Sequence, residues 1–110
     1  MPEPTHILHL TERSMWDAAR ENGVYRVSTR DRTLEQEGFV HCSTRAQLPA
    51  VAAFLYGSYE GPDDLLVLVV DPARLDVPVR YEAPEPGAEE FPRVYGPIPV
   101  GAVVGVEPWR

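Results

Sequence analysis

The order of hydrophobic and polar residues along the chain predicts several short strands and two main helices. Runs of strand length, either apolar or alternating, cover residues 5–10, 24–27, 39–42, 65–70, 77–82 and 102–106. The run Leu65–Val70 is apolar throughout, which is typical of a strand covered on both faces. We therefore predict an α+β fold, in which a single compact domain over residues 1–110 has a mixed central β-sheet. That sheet is expected to contain the strands at 5–10, 39–42 and 65–70.

The first helix is predicted from apolar spacing and from residues that favour helix ends. It is expected at about residues 12–22, with Thr11 as its N-cap and Gly23 as the residue that ends it. Its buried stripe is expected to consist of Met15, Trp16 and Ala19. Residues 28–36, which follow a short strand, are interpreted as a polar connection.

The second helix is predicted after the strand at 39–42. Thr44 and Gln47 have the spacing of a capping box, and Pro49 favours a helix start near Leu48, because proline lacks the N–H that a helix interior needs. The apolar stripe of this helix is Leu48, Val51, Ala52 and Leu55. Both helices are expected to pack on the sheet and to bury most of Trp16, Phe39, Leu55, Leu66, Leu68 and Val104.

Composition narrows the functional classes. The formal net charge of −7 disfavours binding to DNA, which depends on neutralising phosphates. No apolar run approaches the about 20 residues of a membrane helix, so no membrane association is expected. The single Cys42 cannot form an internal disulfide, and a cytoplasmic location is therefore expected. No feature of the sequence indicates which macromolecule, if any, the protein binds.

The basic residues are arginines, and three of them lie close together in the first half of the chain. Arg26, Arg30 and Arg32 could supply charge-assisted hydrogen bonds to a small anionic ligand at the mouth of a site. The alternative for each of them is an ordinary solvated surface position.

The segment Glu37–Thr44 carries the clearest candidate chemistry. Side chains alternate along a strand, so His41 and Ser43 point into the same space. His9, on the first strand, joins them if the two strands are neighbours, and we expect all three to border one pocket. The alternative for each histidine is a hydrogen-bonded residue of the core.

Other site types are poorly supported by the sequence. Zinc is not expected, because Cys42 points away from His41 and no spaced Cys or His motif occurs. Ser43 lacks the strand–turn–helix context of a hydrolase nucleophile, and no glycine-rich phosphate loop is found. No metal and no firmly bound cofactor are predicted.

A series of motifs along the chain resembles one protein family. The motifs, in order, are Ile7–Thr11, Trp16 with Ala19, Gly23–Tyr25, Glu37–Thr44 with Gln47, Asp64–Leu68, Arg80–Glu82 and Phe91–Ile98. Together they resemble the bacterial family called domain of unknown function nine-five-two, over about residues 7–106. That family usually has histidine where this chain has Arg93, so the resemblance implies altered chemistry here if that histidine is catalytic.

The family is thought to be distantly similar to the ADP-ribosyltransferase superfamily, which includes RNA 2′-phosphotransferases. The resemblance implies an ADP-ribosyltransferase-like fold with NAD as co-substrate. It implies that His9 holds a ribose and that Tyr25 packs on nicotinamide. His41 and Glu82 become the catalytic candidates, and the other implied ligand contacts are Ser43, Thr44, Arg93 and Tyr95. For Glu82 the alternative is a surface carboxylate at a strand end, and for the tyrosines it is core packing.

Two classes of function follow. One is a transferase that moves ADP-ribose or a phosphate and uses NAD. The other is a non-catalytic module that binds a nucleotide or another small anion in the same cleft. Under either hypothesis, Tyr25 or Tyr95 is expected at the wall of the pocket formed by His9, His41 and Ser43.

Overall fold

The computed structural model describes residues 6–57, 59, 61 and 64–109 and contains ten strands and three α-helices among them. The strands are Ile7–Glu12 (β1), Val24–Tyr25 (β2), Val27–Thr29 (β3), Arg32–Thr33 (β4), Val40–His41 (β5), Leu65–Val70 (β6), Val79–Glu82 (β7), Phe91–Val94 (β8), Ile98–Pro99 (β9) and Val103–Pro108 (β10). The helices are Arg13–Asn22 (α1), Leu34–Glu37 (α2) and Leu48–Tyr56 (α3). Short 3₁₀ turns occur at Pro72–Arg74 and Val100–Ala102. The predicted α+β class is confirmed.

Two three-stranded sheets form the framework. The first sheet has the order β1-β6-β10 and the second has the order β5-β8-β7, while β2 with β9 and β3 with β4 form two-stranded ribbons. Every pairing among the described strands is antiparallel. The prediction of a mixed sheet is therefore wrong. A parallel pair needs a crossover within one sheet, whereas here the helices connect strands of different sheets.

Strand β6 lies at the centre of the first sheet and is covered on both faces, as predicted. Leu66, Leu68 and Val70 pack into one apolar cluster with Trp16. The alternate residues of β6 pack into a second cluster on the opposite face, together with Leu48, Ala52 and Tyr56 of α3. The strand predicted at 5–10 shares this sheet, as expected, and pairs directly with β6, although Thr5 lies outside the described residues.

The strand predicted at 39–42 belongs to the second sheet, contrary to expectation. Only residues 40–41 form a ladder, and their partner is β8. A single bridge, Leu8 to Ser43, links this segment to the first sheet. The His9 side chain, rather than a backbone N–H of β1, bonds the next carbonyl of this segment, that of His41.

Helix α1 begins one residue later than predicted and ends as predicted at Gly23. Thr11 is not the N-cap; it stays in β1, and Glu12 takes the cap position without a side-chain hydrogen bond. Trp16 is buried together with Ala19, but Met15 is 41% exposed. The buried stripe of α1 is therefore narrower than the sequence indicated.

Helix α3 begins at Leu48, as predicted, with Pro49 in its first turn. The predicted capping box forms in the turn before the helix. The Thr44 hydroxyl accepts from the Gln47 backbone N–H at 3.2 Å, and the Gln47 side-chain oxygen accepts from the Thr44 backbone N–H at 3.0 Å. Helix α2 was missed inside the segment interpreted as a polar connection. Its four residues are too few to show periodicity, although Thr33 and Gln36 form a second capping box.

The predicted core is only partly right. Trp16, Leu66 and Leu68 are buried, whereas Phe39 and Leu55 are half-buried. Val104 is 42% exposed, because β10 is an edge strand whose alternate residues face solvent. Among the described residues, no helix is long and apolar enough to cross a membrane.

Gly23 gives a test of the fold, because its φ of +86° lies in the left-handed region. A Cβ added there meets no atom within 4 Å, so only backbone strain opposes it. We expect Gly23→Ala to lower the free energy of unfolding by about 1–2 kcal/mol, measured by denaturant titration. The matched control is Gly101→Ala, whose Cβ also meets open space but whose φ is not positive. Equal losses in the two variants would contradict this assignment.

Candidate functional site

The segment around His41 is positioned by the second sheet. Val40 and Cys42 turn into the core, whereas Phe39 and His41 lie on the opposite face, as strand parity predicted. In the ladder His41 pairs with Arg93 of β8. The sheet therefore places an imidazole beside a guanidinium on the face turned away from the core.

His9 points to the interior and both of its ring nitrogens have protein partners. Nδ1 lies 2.6 Å from the carbonyl oxygen of His41, and Nε2 lies 2.8 Å from the hydroxyl of Tyr25. The hydroxyls of Tyr25 and Thr11 are 2.7 Å apart, which extends the chain of hydrogen bonds. His9 is 2% exposed and Tyr25 is fully buried.

Burial lowers the pKa of His9 to about 4, which leaves its ring neutral at pH 7. A neutral ring has one N–H, and since the His41 carbonyl can only accept, that hydrogen is on Nδ1. Nε2 therefore accepts from Tyr25, whose hydroxyl in turn accepts from Thr11. Burial also raises the pKa of Tyr25, so the phenol keeps its proton.

The His9 imidazole replaces a backbone hydrogen bond that is expected between β1 and the segment of β5. Leu8 and Ser43 exchange both backbone hydrogen bonds, each 2.8 Å long. In an antiparallel ladder the next such pair is Leu10 with His41. The His41 carbonyl instead accepts from His9, so the ladder between the two segments stops after one rung.

A cleft of about 350 Å³ opens beside the point where this ladder stops. Its lining is mostly apolar and comes from β1, β3, β5, β8, helix α3 and adjoining loops. The lining residues are Leu8, His9, Leu10, Thr29, His41, Cys42, Ser43, Ala50, Val51, Phe54, Leu55, Pro84, Phe91 and Arg93. Phe54 is 87% exposed. A largely apolar cleft with a few polar groups is the usual form of a small-molecule site.

Arg93 is held by two neighbours. Its guanidinium carbon lies 4.3 Å from the centre of the Phe39 ring, and its Nη1 lies 3.3 Å from a carboxylate oxygen of Glu82. The side chain is only 18% exposed. The remaining guanidinium N–H groups have no hydrogen-bond partner among the described residues. Arg93 therefore retains donors and a charge for a ligand in the cleft.

Glu82 is held outside the cleft. The same carboxylate oxygen that contacts Arg93 accepts a short hydrogen bond from the Tyr95 hydroxyl. The Tyr95 bond, and then Arg93, lower the pKa of Glu82, which is ionised at pH 7. Neither Glu82 nor Tyr95 lines the cleft.

His41 presents a partly exposed imidazole to the cleft. Partial burial lowers its pKa and the Arg93 charge lowers it further, while Glu37, with an oxygen 3.7 Å from Nε2, acts in the opposite direction. The net shift is downward, so the ring is mostly neutral at pH 7. A neutral imidazole offers one donor and one acceptor.

Ser43 contributes a buried hydroxyl. The residue is 2% exposed and lines the cleft, and its backbone bonds Leu8. Its Oγ has no hydrogen-bond partner within the described part of the chain. Buried polar atoms without a partner are rare and costly, so this hydroxyl is available to a ligand or a water.

The structure brings together some of the predicted site residues and separates others. His9, His41, Ser43 and Arg93 border one cleft. The predicted roles of His9 and Tyr25 do not fit, because both His9 nitrogens are bonded internally and Tyr25 has no exposed surface. The other predicted residues absent from the lining are Thr44, Glu82 and Tyr95.

The arginines predicted at the mouth of the site have other partners. Arg26 and Arg32 contact Glu35 and Glu37, respectively. The guanidinium of Arg30 lies over the Tyr56 ring, 4.6 Å from its centre. None of the three lines the cleft.

Sequence reasoning missed the apolar part of the site. Phe54 and Phe91 line the cleft from α3 and β8. Phe54 was not part of the predicted apolar stripe of its helix, and no strand was predicted around Phe91. The Phe91–Ile98 motif was the available signal. Among the described residues, no group of three or more His, Cys, Asp or Glu is arranged to hold a metal ion.

Comparison with known proteins identifies the family. The model of a family described as "Protein of unknown function (DUF952)" matches residues 10–106. The chain belongs to the DUF952 family. The predicted family membership is thus confirmed, while the more distant similarity to ADP-ribosyltransferases stays a prediction. No curated protein matches.

Solved structures of protein CC0527 from Caulobacter crescentus share the fold. The crystal structure is 30% identical, with a TM-score of 0.75 over 94% of this chain and 85% of that chain. A double mutant of the same protein is 29% identical, with the same TM-score and coverage. The solution NMR structure is 30% identical, with a TM-score of 0.69 over 93% and 82% of the two chains.

The neutral state of His9 predicts how stability depends on pH. The unfolded chain binds a proton at His9 below about pH 6.5, whereas the folded protein does so only near pH 4. The free energy of unfolding should therefore be independent of His9 above pH 6.5 and should fall as the pH drops towards 4. The loss is on the order of 3 kcal/mol, since one pKa unit corresponds to about 1.4 kcal/mol.

Denaturant titrations from pH 7 to 4 check this expectation. His9→Gln keeps an N–H donor and removes the titrating group, so most of the fall in stability over this range should disappear. The control is His41→Gln, which removes a more exposed imidazole and should keep most of the wild-type slope. An unchanged slope in His9→Gln would show that His9 is not the group responsible.

Proposed function

We propose that the cleft binds a small organic anion that carries a flat apolar ring, and that binding rather than catalysis is the function of the site. The observation that carries this proposal is Arg93, a mostly buried guanidinium that borders an apolar cleft and has one carboxylate contact. An anion placed beside it forms charge-assisted hydrogen bonds, which are stronger than neutral ones.

The arrangement around Arg93 favours a planar anionic group. The guanidinium lies over the Phe39 ring, and the contact with Glu82 holds one end of it. A guanidinium held in this way loses little freedom when a carboxylate or phosphate binds. His41 and Ser43 add neutral donors and acceptors on the same side.

The apolar part of the ligand has matching walls. Phe54 and Phe91 line the cleft. Phe54 is almost fully exposed in the free protein, so contact with a ligand ring would remove the most apolar surface from water at this residue. Offset or edge-to-face contacts between rings contribute about 0.5–1.5 kcal/mol beyond the area that they bury. A flat ring joined to an anionic group meets both requirements.

Nucleotides such as NAD and ADP-ribose belong to this ligand class, so the proposal includes them. A relationship to ADP-ribosyltransferases, in fold and in chemistry, is the catalytic form of the proposal. That reaction needs a carboxylate beside the ribose to stabilise an oxocarbenium-like state. Glu82 is engaged by Arg93 and Tyr95 outside the cleft, so binding has more support than transfer.

Replacement of Arg93 tests the binding proposal. We expect NAD, ADP-ribose, AMP or benzoate, titrated to millimolar concentration, to shift backbone amide signals of Arg93, His41 and Phe91. Arg93→Ala should weaken binding tenfold or more, because it removes a hydrogen bond between charged groups worth about 1.5–3 kcal/mol. The control is Arg20→Ala, on the exposed face of α1. The proposal fails if none of these compounds binds, or if both variants bind as the wild type does.

Incubation with NAD separates binding from transfer. Under the proposal NAD remains intact, and chromatography detects no release of nicotinamide above that of a buffer blank. Glu82→Gln should then leave affinity for NAD within about twofold, since glutamine keeps an oxygen that can accept from Arg93 and lies outside the cleft. Nicotinamide release by the wild type that is lost in Glu82→Gln would instead establish a transferase.

A further inference from the structure

The edge of β1 beside the cleft has backbone groups without protein partners. Both backbone groups of Leu8 bond Ser43, so the backbone groups of Ile7, His9 and Thr11 point the other way, to β6. Because backbone direction alternates along a strand, Leu10 faces the same side as Leu8. The partner expected there, the His41 carbonyl, is occupied by His9.

Leu10 therefore has a donor and an acceptor to offer at the cleft. It is 5% exposed and lines the cleft, and its N–H and C=O have no hydrogen-bond partner among the described residues. Buried backbone groups without a partner are rare in proteins, because each one loses its hydrogen bond to water and gains none in return. A ligand that pairs with both groups removes this cost.

Ser43 is a second, independent indication of a ligand. Its buried Oγ also lacks a partner in the described structure and lines the same cleft. Ser43 bonds Leu8, the residue two before Leu10, so the hydroxyl and the unpaired backbone groups lie at neighbouring positions of one edge.

We infer that the ligand is an N-acylated α-amino acid that pairs with Leu10 as the missing rung of the ladder. This inference rests on the proposed function and specifies the chemistry of its ligand. In an antiparallel pair, one residue presents its N–H and its carbonyl on the same side. An N-acyl amino acid does the same with its amide N–H and its carboxylate.

The pairing assigns each ligand group to a partner. The Leu10 N–H donates to one carboxylate oxygen, and the Leu10 carbonyl accepts from the amide N–H. Arg93 adds its charge to the carboxylate, and the acyl group packs against the apolar lining. Ser43 donates to a ligand oxygen. An ester in place of the amide loses the N–H and turns an oxygen towards the Leu10 carbonyl.

Two probes test the inference. N-benzoylglycine has the ring, the amide and the carboxylate, and O-benzoylglycolate differs only by an ester oxygen in place of the N–H. We expect N-benzoylglycine to bind tenfold or more tightly in calorimetry. In ¹⁵N-labelled protein the Leu10 amide proton should move downfield and exchange more slowly with solvent, while the Leu8 amide, already bonded to Ser43, should change little.

The outcomes distinguish the two proposals. If neither probe binds and the ring-bearing anions also fail to bind, the proposed function is wrong. If both probes bind with equal affinity, or if the Leu10 amide is unaffected, the anion site stands and the amide inference is wrong. A blocked tetrapeptide ending in phenylalanylglycine separates the ligand sources: tighter binding than N-benzoylglycine indicates a peptide C-terminus, and weaker binding a free acyl amino acid.

Ser43→Ala gives a signature that a structural role would not produce. Because the hydroxyl is unpaired in the free protein, its removal should leave the unfolding temperature unchanged or higher. Binding of N-benzoylglycine should nevertheless weaken about threefold or more. Equal affinity of Ser43→Ala and wild type would remove Ser43 from the ligand contacts.

Discussion

The hydrogen bond from His9 Nδ1 to the His41 carbonyl joins the two three-stranded sheets where their common ladder stops. A backbone donor at this position would continue the ladder and merge the sheets. The His9 side chain lies on the face of β1 that packs against Tyr25, and the cleft opens beside the point where the ladder stops. The polar edge of the cleft is the part of β1 left without a partner.

The hydrogen bond between His9 and His41 is stable because each buried polar group connected to it also has a hydrogen-bond partner. Thr11 donates to Tyr25, Tyr25 donates to His9, and His9 donates to His41. Loss of any one member leaves a buried donor or acceptor unpaired, which usually costs more than the bond itself contributes. Burial keeps the imidazole neutral, because the charged ring would lose its hydration in the core.

Local patterns predicted local features well, and failed where a side chain bonded a distant backbone group. The period of two correctly separated Val40 and Cys42 from Phe39 and His41, and Gly23 correctly predicted the end of α1. The role of His9 was beyond such reasoning, because its partners lie 16 and 32 residues away. Val104 was misjudged for a related reason, since an apolar run does not show whether its strand is central or at an edge.

The edge strand β10 has a consequence for the behaviour of the protein at high concentration. Its outer side presents an unpaired strand with exposed Val104 and Val106, a common starting point for aggregation between copies. Three features oppose such growth: an irregular register between Val103 and Gly105, Pro108 at the end, and Glu107 paired with Arg45 of the turn before α3. The chain thus keeps an apolar edge strand while limiting the length of flat backbone on which another copy could pair.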